Sequence, residues 1–164
     1  MRKRNLWLAV AALTMTSRLY CQANPDCPVD PTTFKAMRNC YRPVLVFAPS
    51  AKNASFRAQQ ALLEQYADDM MDRNLLYVPV LRQGARWETP LDAPYVFLDQ
   101  PELQGLRARF HIEPGEFTVI LIGKDGGEKF RSAKPVSVLK LDALVDAMPM
   151  GQEEKAARAA RKSQ

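Results

Sequence analysis

Histidine is the scarcest residue with catalytic potential: among 164 residues there is one, His111. A single histidine and no His/Cys cluster leave no donor set for a zinc site. A Ser-His-Asp arrangement would need Ser50 to meet His111, and nothing in their spacing requires it. His111 follows Phe110 at the exit of a helical stretch and reads as a structural or exposed residue. Cysteine is also rare. There are three, Cys21, Cys27 and Cys40, and none lies beyond residue 40. No later segment can therefore supply a thiolate, the nucleophile of disulfide exchange. Glycine is sparse, with 7 residues. Its one cluster, Gly123-Lys124-Asp125-Gly126-Gly127, lacks the Lys-Ser/Thr ending and following helix of a phosphate loop, so it reads as a hairpin. No repeat with a period of 20–50 residues is visible.

A basic surface is missing too, although the net charge is +5. Four of the 23 Lys and Arg and none of the 18 Asp and Glu fall in residues 1–23, which leaves 19 against 18. A near-neutral domain gives no footing for nucleic-acid binding. Residues 1–23 have the layout of an export signal. Arg2, Lys3 and Arg4 come first, then a mostly apolar run over residues 6–15, then Cys21-Gln22-Ala23 with small residues where a signal peptidase reads. The expectation is a cut after Ala23 and a periplasmic or secreted product with no transmembrane segment. The run is too short to span a bilayer, and Arg18 interrupts any extension of it. Tyr20, directly ahead of Cys21, argues against a lipidated cysteine. The competing reading is an apolar tail on a cytosolic protein.

What remains is one domain with one sizeable core. Residues 24–41 form a Pro- and Cys-containing entry segment. Cys27 and Cys40 are an even pair, which in an oxidising compartment suggests one disulfide; two free buried thiols are the alternative.

Residues 44–48 are apolar throughout, as in a strand buried on both faces. Pro49-Ser50 ends that strand. Residues 54–71 carry a helical stripe through Phe56, Leu63, Ala67 and Met70. Residues 75–80 read as a second strand, with Pro79 placed where no ladder bond is needed. Residues 81–98 read as a long loop with one short packed segment. Asp99, Pro101 and Glu102 mark a helix start. Residues 117–122 are a third apolar strand, Asp125-Gly126 a hairpin, and 128–131 an edge strand. Ser137 caps a final helix that Pro149 ends. Residues 151–164 hold no large apolar side chain and read as a charged, solvated tail.

The order β-α-β-α-β-β-α is that of a thioredoxin-like α/β domain over residues 42–150, a three-layer sandwich with a mixed four-stranded sheet. Residues 45–50, 72–75, 121–127 and 146–150 together resemble the bacterial domain-of-unknown-function family 4174. The same domain type occurs in secreted animal matrix proteins of the sushi-repeat-containing class. The resemblance spans roughly residues 36–153. It implies a peroxiredoxin- or thioredoxin-like fold in an exported protein, and no established activity. Two positions depart from the family pattern: Gly151 where Arg usually follows Met-Pro-Met, and Asn74 where Arg-Asp is usual.

In such a fold, chemistry sits at the end of the first core strand. Here the two thioredoxin cysteine places fall on Ala51 and Ala54, and the peroxidatic place falls on Phe56. The cis-proline that normally precedes the third strand in redox members is replaced by Phe117, with Pro114 three residues too early. No catalytic residue, cofactor or metal is expected. The candidate binding loop comprises Pro49, Ser50, Lys52 and Asn53, with Phe117, Thr118 and Arg73 beside it. Lys124 is expected at the opposite end of the sheet. The leading expectation is a non-catalytic module for an unidentified protein or small molecule. The rival is an oxidoreductase or peroxiredoxin-like enzyme using Cys27 and Cys40 as an unusual dithiol.

Overall fold

A computed structural model describes residues 26–82 and 92–163. The proposed export signal and residues 83–91 of the long loop lie outside them. The strands are β1 (Arg42–Ala48), β2 (Leu75–Leu81), β3 (Thr118–Ile122) and β4 (Glu128–Ser132). The helices are α1 (Ala54–Glu64), α2 (Ala67–Asp72), α3 (Gln100–Arg109), α4 (Val138–Asp146) and α5 (Pro149–Lys162), with a 3-10 turn at Lys35–Met37.

The sheet runs β2-β1-β3-β4. β1 pairs parallel with β2 and antiparallel with β3, and β3 pairs antiparallel with β4. The continuous apolar runs follow from this placement, because β1 and β3 are the two inner strands and bury both faces. Val44, Val46 and Ala48 meet Phe56, Leu63, Met70, Leu141 and Val145 from α1, α2 and α4. Leu45 and Phe47 point the other way, into a second core with Met37, Leu103, Leu106 and Phe110. Three layers result, helices above and below one sheet. Pro79 sits on β2, an edge strand, consistent with its missing donor.

The expected helix starts hold. Asp99 Oδ1 accepts from the Glu102 amide at 3.0 Å, and Ser137 Oγ accepts from the Lys140 amide at 3.3 Å. Glu102 does not complete a capping box, since its carboxylate instead accepts the Phe34 amide at 3.0 Å. Gln59, fully buried, locks α1 to the approach of α4. It donates to the Val136 carbonyl at 2.9 Å and accepts the Val136 amide at 2.7 Å.

Two expectations need correction. The single helix over residues 54–71 is two helices broken at Gln65-Tyr66, because Tyr66 (φ −133, ψ 44) leaves helical geometry. The expected solvated tail forms α5, with Pro149 in its first turn. Pro149 both ends α4 and starts α5. Gly151 packs so tightly that a Cβ there would lie 1.7 Å from the Val145 carbonyl oxygen. Glu154 of α5 bonds Arg42 Nη1 and Lys124 Nζ, each at 2.9 Å, and Arg158 Nη2 reaches Asp146 Oδ1 at 2.6 Å.

Candidate functional site

The loop after β1 is a tight turn. The Asn53 amide donates to the Ser50 carbonyl at 3.1 Å. Asn53 Oδ1 accepts the Phe56 amide at 3.1 Å and so caps α1. Lys52 is exposed, while Pro49 and Ser50 are half-buried. Phe47 pairs with Thr118, which carries Phe117 and Thr118 to the same end of the sheet. Six of the seven expected site residues therefore gather at one pole.

Arg73 does not. It precedes β2, whose first residue Leu75 pairs with Arg42 at the start of β1. Six strand positions, roughly 20 Å, separate it from the Pro49 loop. Arg73 belongs to an ion-pair network at the opposite pole. It meets Asp146 at 3.1 Å and Asp142 at 3.3 Å, and Arg158 shares Asp146. Burial raises the Asp142 carboxyl to about 6 against the pull of Arg73, with Asp69 and Asp146 adding to the rise. Lys124 is also at this pole, as expected, and its carbonyl accepts the Asn39 amide at 2.7 Å.

Three residues at the Pro49 pole escaped sequence reasoning. Arg107 reaches back from α3, its Nη2 donating to the carbonyls of Ala48 at 2.6 Å and Val80 at 2.8 Å. It thereby ties off the ends of β1 and β2. Its guanidinium stands 5.9 Å from the Phe47 ring centre. Burial pulls the Arg107 pKa down, Arg82 adds to that, and Glu116 opposes it. Arg107 Nε and Nη1 are buried with no acceptor among the described residues. The Thr118 hydroxyl and the Glu113 amide both donate to Glu116, holding its carboxylate below the usual range. The available signal was Arg107 four positions after buried Leu103, which puts it on the packed face of α3. Its carbonyl partners leave no trace in side-chain identity.

The positions expected to carry sulfur in a redox protein hold Ala51, Ala54 and Phe56. Phe56 is fully buried in the core, and Ala51 packs against its edge. Cys27 and Cys40 are bridged, with Cα atoms 5.5 Å apart. The bridge lies ahead of β1, a full strand away from the Pro49 loop. Among the described residues no three His, Cys, Asp or Glu side chains converge as a metal cage would require. No helix among them is long and apolar enough to cross a membrane.

The sheet order, the crossover from β1 through α1 and α2 to β2, and the helix layers on both faces define a thioredoxin-like domain. Residues 33–154 match the family described as domain of unknown function DUF4174, and the chain belongs to that family. No curated protein sequence matches it. Among solved structures it is similar to thioredoxin peroxidase I of Plasmodium yoelii. The identity is 12%, the match covers 74% of this chain and 86% of that one, and the TM-score is 0.52. The reduced 2-Cys peroxiredoxin of Plasmodium vivax is similar at 12% identity over 78% and 83% of the two chains, TM-score 0.49. A thiol:disulfide interchange protein from Bacteroides sp. matches at 14% identity over 68% and 77%, TM-score 0.48. At these identities the likeness concerns the fold alone.

Proposed function

We propose that this chain is an exported thioredoxin-like domain that works by binding a protein or small molecule, not by thiol chemistry. One observation carries the reading. The two described cysteines are bridged at the pole opposite the Pro49 loop, while Ala51, Ala54 and Phe56 fill the places where a thiolate would act. Without a thiolate at the end of β1, neither disulfide exchange nor peroxide reduction has a nucleophile. A disulfide also fits an oxidising compartment, in line with the basic and apolar start of the chain. The face offered to a ligand is then the Pro49–Asn53 turn, including Lys52, with Phe117, Arg82 and Glu116 beside it.

The test is to assay the oxidised protein for insulin reduction and peroxide consumption, beside a Cys27→Ser/Cys40→Ser variant. Neither protein should exceed the uncatalysed rate. Thiol-dependent turnover in the parent, lost in a variant that circular dichroism shows to be folded, would overturn the reading in favour of an oxidoreductase.

A further inference from the structure

A cleft of about 510 Å³ lies at the other pole, on the α3 side of the sheet. Its size suits a small molecule. One wall is the loop that the disulfide closes, with Phe34, Lys35 and Arg38; the other is the β3–β4 hairpin; Arg109 at the end of α3 stands between them. Lys35, Arg38 and Arg109 make no ion pair among the described residues. The nearby carboxylates are already engaged. Asp125 is held by Lys129 Nζ at 2.6 Å and by the Gly127 amide at 3.0 Å, and Glu102 accepts the Phe34 amide. Three positive charges thus line one concavity against a single lining carboxylate, Asp125, which is already paired with Lys129.

Two of the three are also positioned. Arg109 Nη2 donates to the Gly126 carbonyl at 3.0 Å, and its guanidinium stands 5.0 Å from the Phe34 ring centre and 5.4 Å from that of Phe110. Arg38 lies along Gly126, so close that a Cβ there would sit 3.2 Å from its Nε. Gly126 has φ +80, a conformation that glycine adopts without strain. The wall bearing Lys35 and Arg38 is fixed by the Cys27–Cys40 bridge, by the bond from Tyr41 Oη to the Pro28 carbonyl at 2.6 Å, and by Glu102. Oriented guanidinium groups over an aromatic floor suit planar or tetrahedral oxyanions.

We propose that this cleft is a binding site for a small polyanion carrying two or more carboxylate or phosphate groups. Lys35, Arg38 and Arg109 supply the charge, and the ring of Phe34 supplies the floor. The site is separate from the Pro49 face and owes nothing to thiol chemistry, so it can fail while the reading above stands, and the reverse.

Citrate and pyrophosphate, titrated separately into the oxidised protein at low ionic strength, distinguish the two anion chemistries. Saturable binding of at least one is expected by calorimetry, with a matching rise in melting temperature, and it should weaken as salt is added. Arg38→Gln and Lys35→Gln alter exposed side chains outside any described ion pair. Each should weaken binding by about 10-fold, the scale of one lost charge-assisted contact, with the melting temperature of the free protein unchanged. Reducing the disulfide should weaken binding as well. Absence of saturable binding with both anions would overturn the proposal. So would equal affinity in the parent and in both variants.

Discussion

At the scale of single residues, two positions carry most meaning, and the sequence misplaces one of them. Arg73 is expected beside the Pro49 loop, yet it closes an ion-pair cluster at the opposite pole. His111, read from the sequence as structural or exposed, holds φ +54 directly after α3. Its amide bonds the Ala108 carbonyl and the next amide bonds that of Arg107, a Schellman closure in which the ring takes no part. Both roles depend on backbone geometry or on the far side of the core, neither of which composition encodes. Asp142 gives a testable consequence. Its folded carboxyl titrates near 6, above the usual range. The folded state therefore holds a proton that the unfolded chain releases. That contribution is fully present below about pH 4 and is lost as pH rises through 6. Asp146 and Glu154 are shifted down, and their contribution runs the other way, lost on acidification. Asp142→Asn is expected to raise stability at pH 7.5 by about 1–3 kcal/mol and to change it little at pH 4. Urea midpoints of both proteins at the two pH values check this; an equal loss at both would contradict it.

Among the elements, the inner strands and the hairpin are legible because their signals are local. Unbroken apolar runs mark β1 and β3, and Asp125-Gly126 marks the turn between β3 and β4. Helix α5 is illegible for the converse reason. Its sequence has no large apolar stripe, and it docks through Glu154, Arg158 and the missing side chain of Gly151. The break between α1 and α2 is equally silent, since Gln65-Tyr66 contains neither Gly nor Pro. Docking through charge makes α5 sensitive to position. Arg42 is 1% exposed and relies on Glu154 and the Arg73 carbonyl. Gly151→Ala must push α5 off α4, leaving that buried guanidinium poorly paired, at a cost of about 2–4 kcal/mol. Gly105→Ala on α3, where nothing lies within 4 Å, should instead stabilise by up to about 1 kcal/mol. Denaturant unfolding of the two variants gives opposite signs if α5 is seated as described, and the same sign if it is not.

Across the whole molecule, the strands of one sheet run between two poles. The Pro49 pole holds the candidate binding loop, and the other gathers the family-like stretches Asp72-Arg73-Asn74 and Asp146-Ala147-Met148-Pro149, the disulfide and the cationic cleft. The even cysteine pair pointed to the bridge, and closing that loop is worth about 3 kcal/mol in the chain-entropy picture. Its pole was legible as well, because both cysteines precede the apolar run at residues 44–48 and the bridge therefore sits at the start of β1. The bridge also sets how the domain would carry a load. Tension entering at residue 27 crosses directly to Cys40 and on into β1, so residues 28–39 stay slack. β1 is gripped by β2 on one side and β3 on the other, and its hydrogen bonds resist in shear, all at once. At the far end of the chain α5 is held by scattered ion pairs that can peel singly. Pulled between the two ends in an optical trap, the domain should release α5 first and the sheet last. Adding reductant should lengthen the final extension by roughly 40 Å, the reach of the freed segment. Equal extensions with and without reductant would show that the bridge does not bear the load.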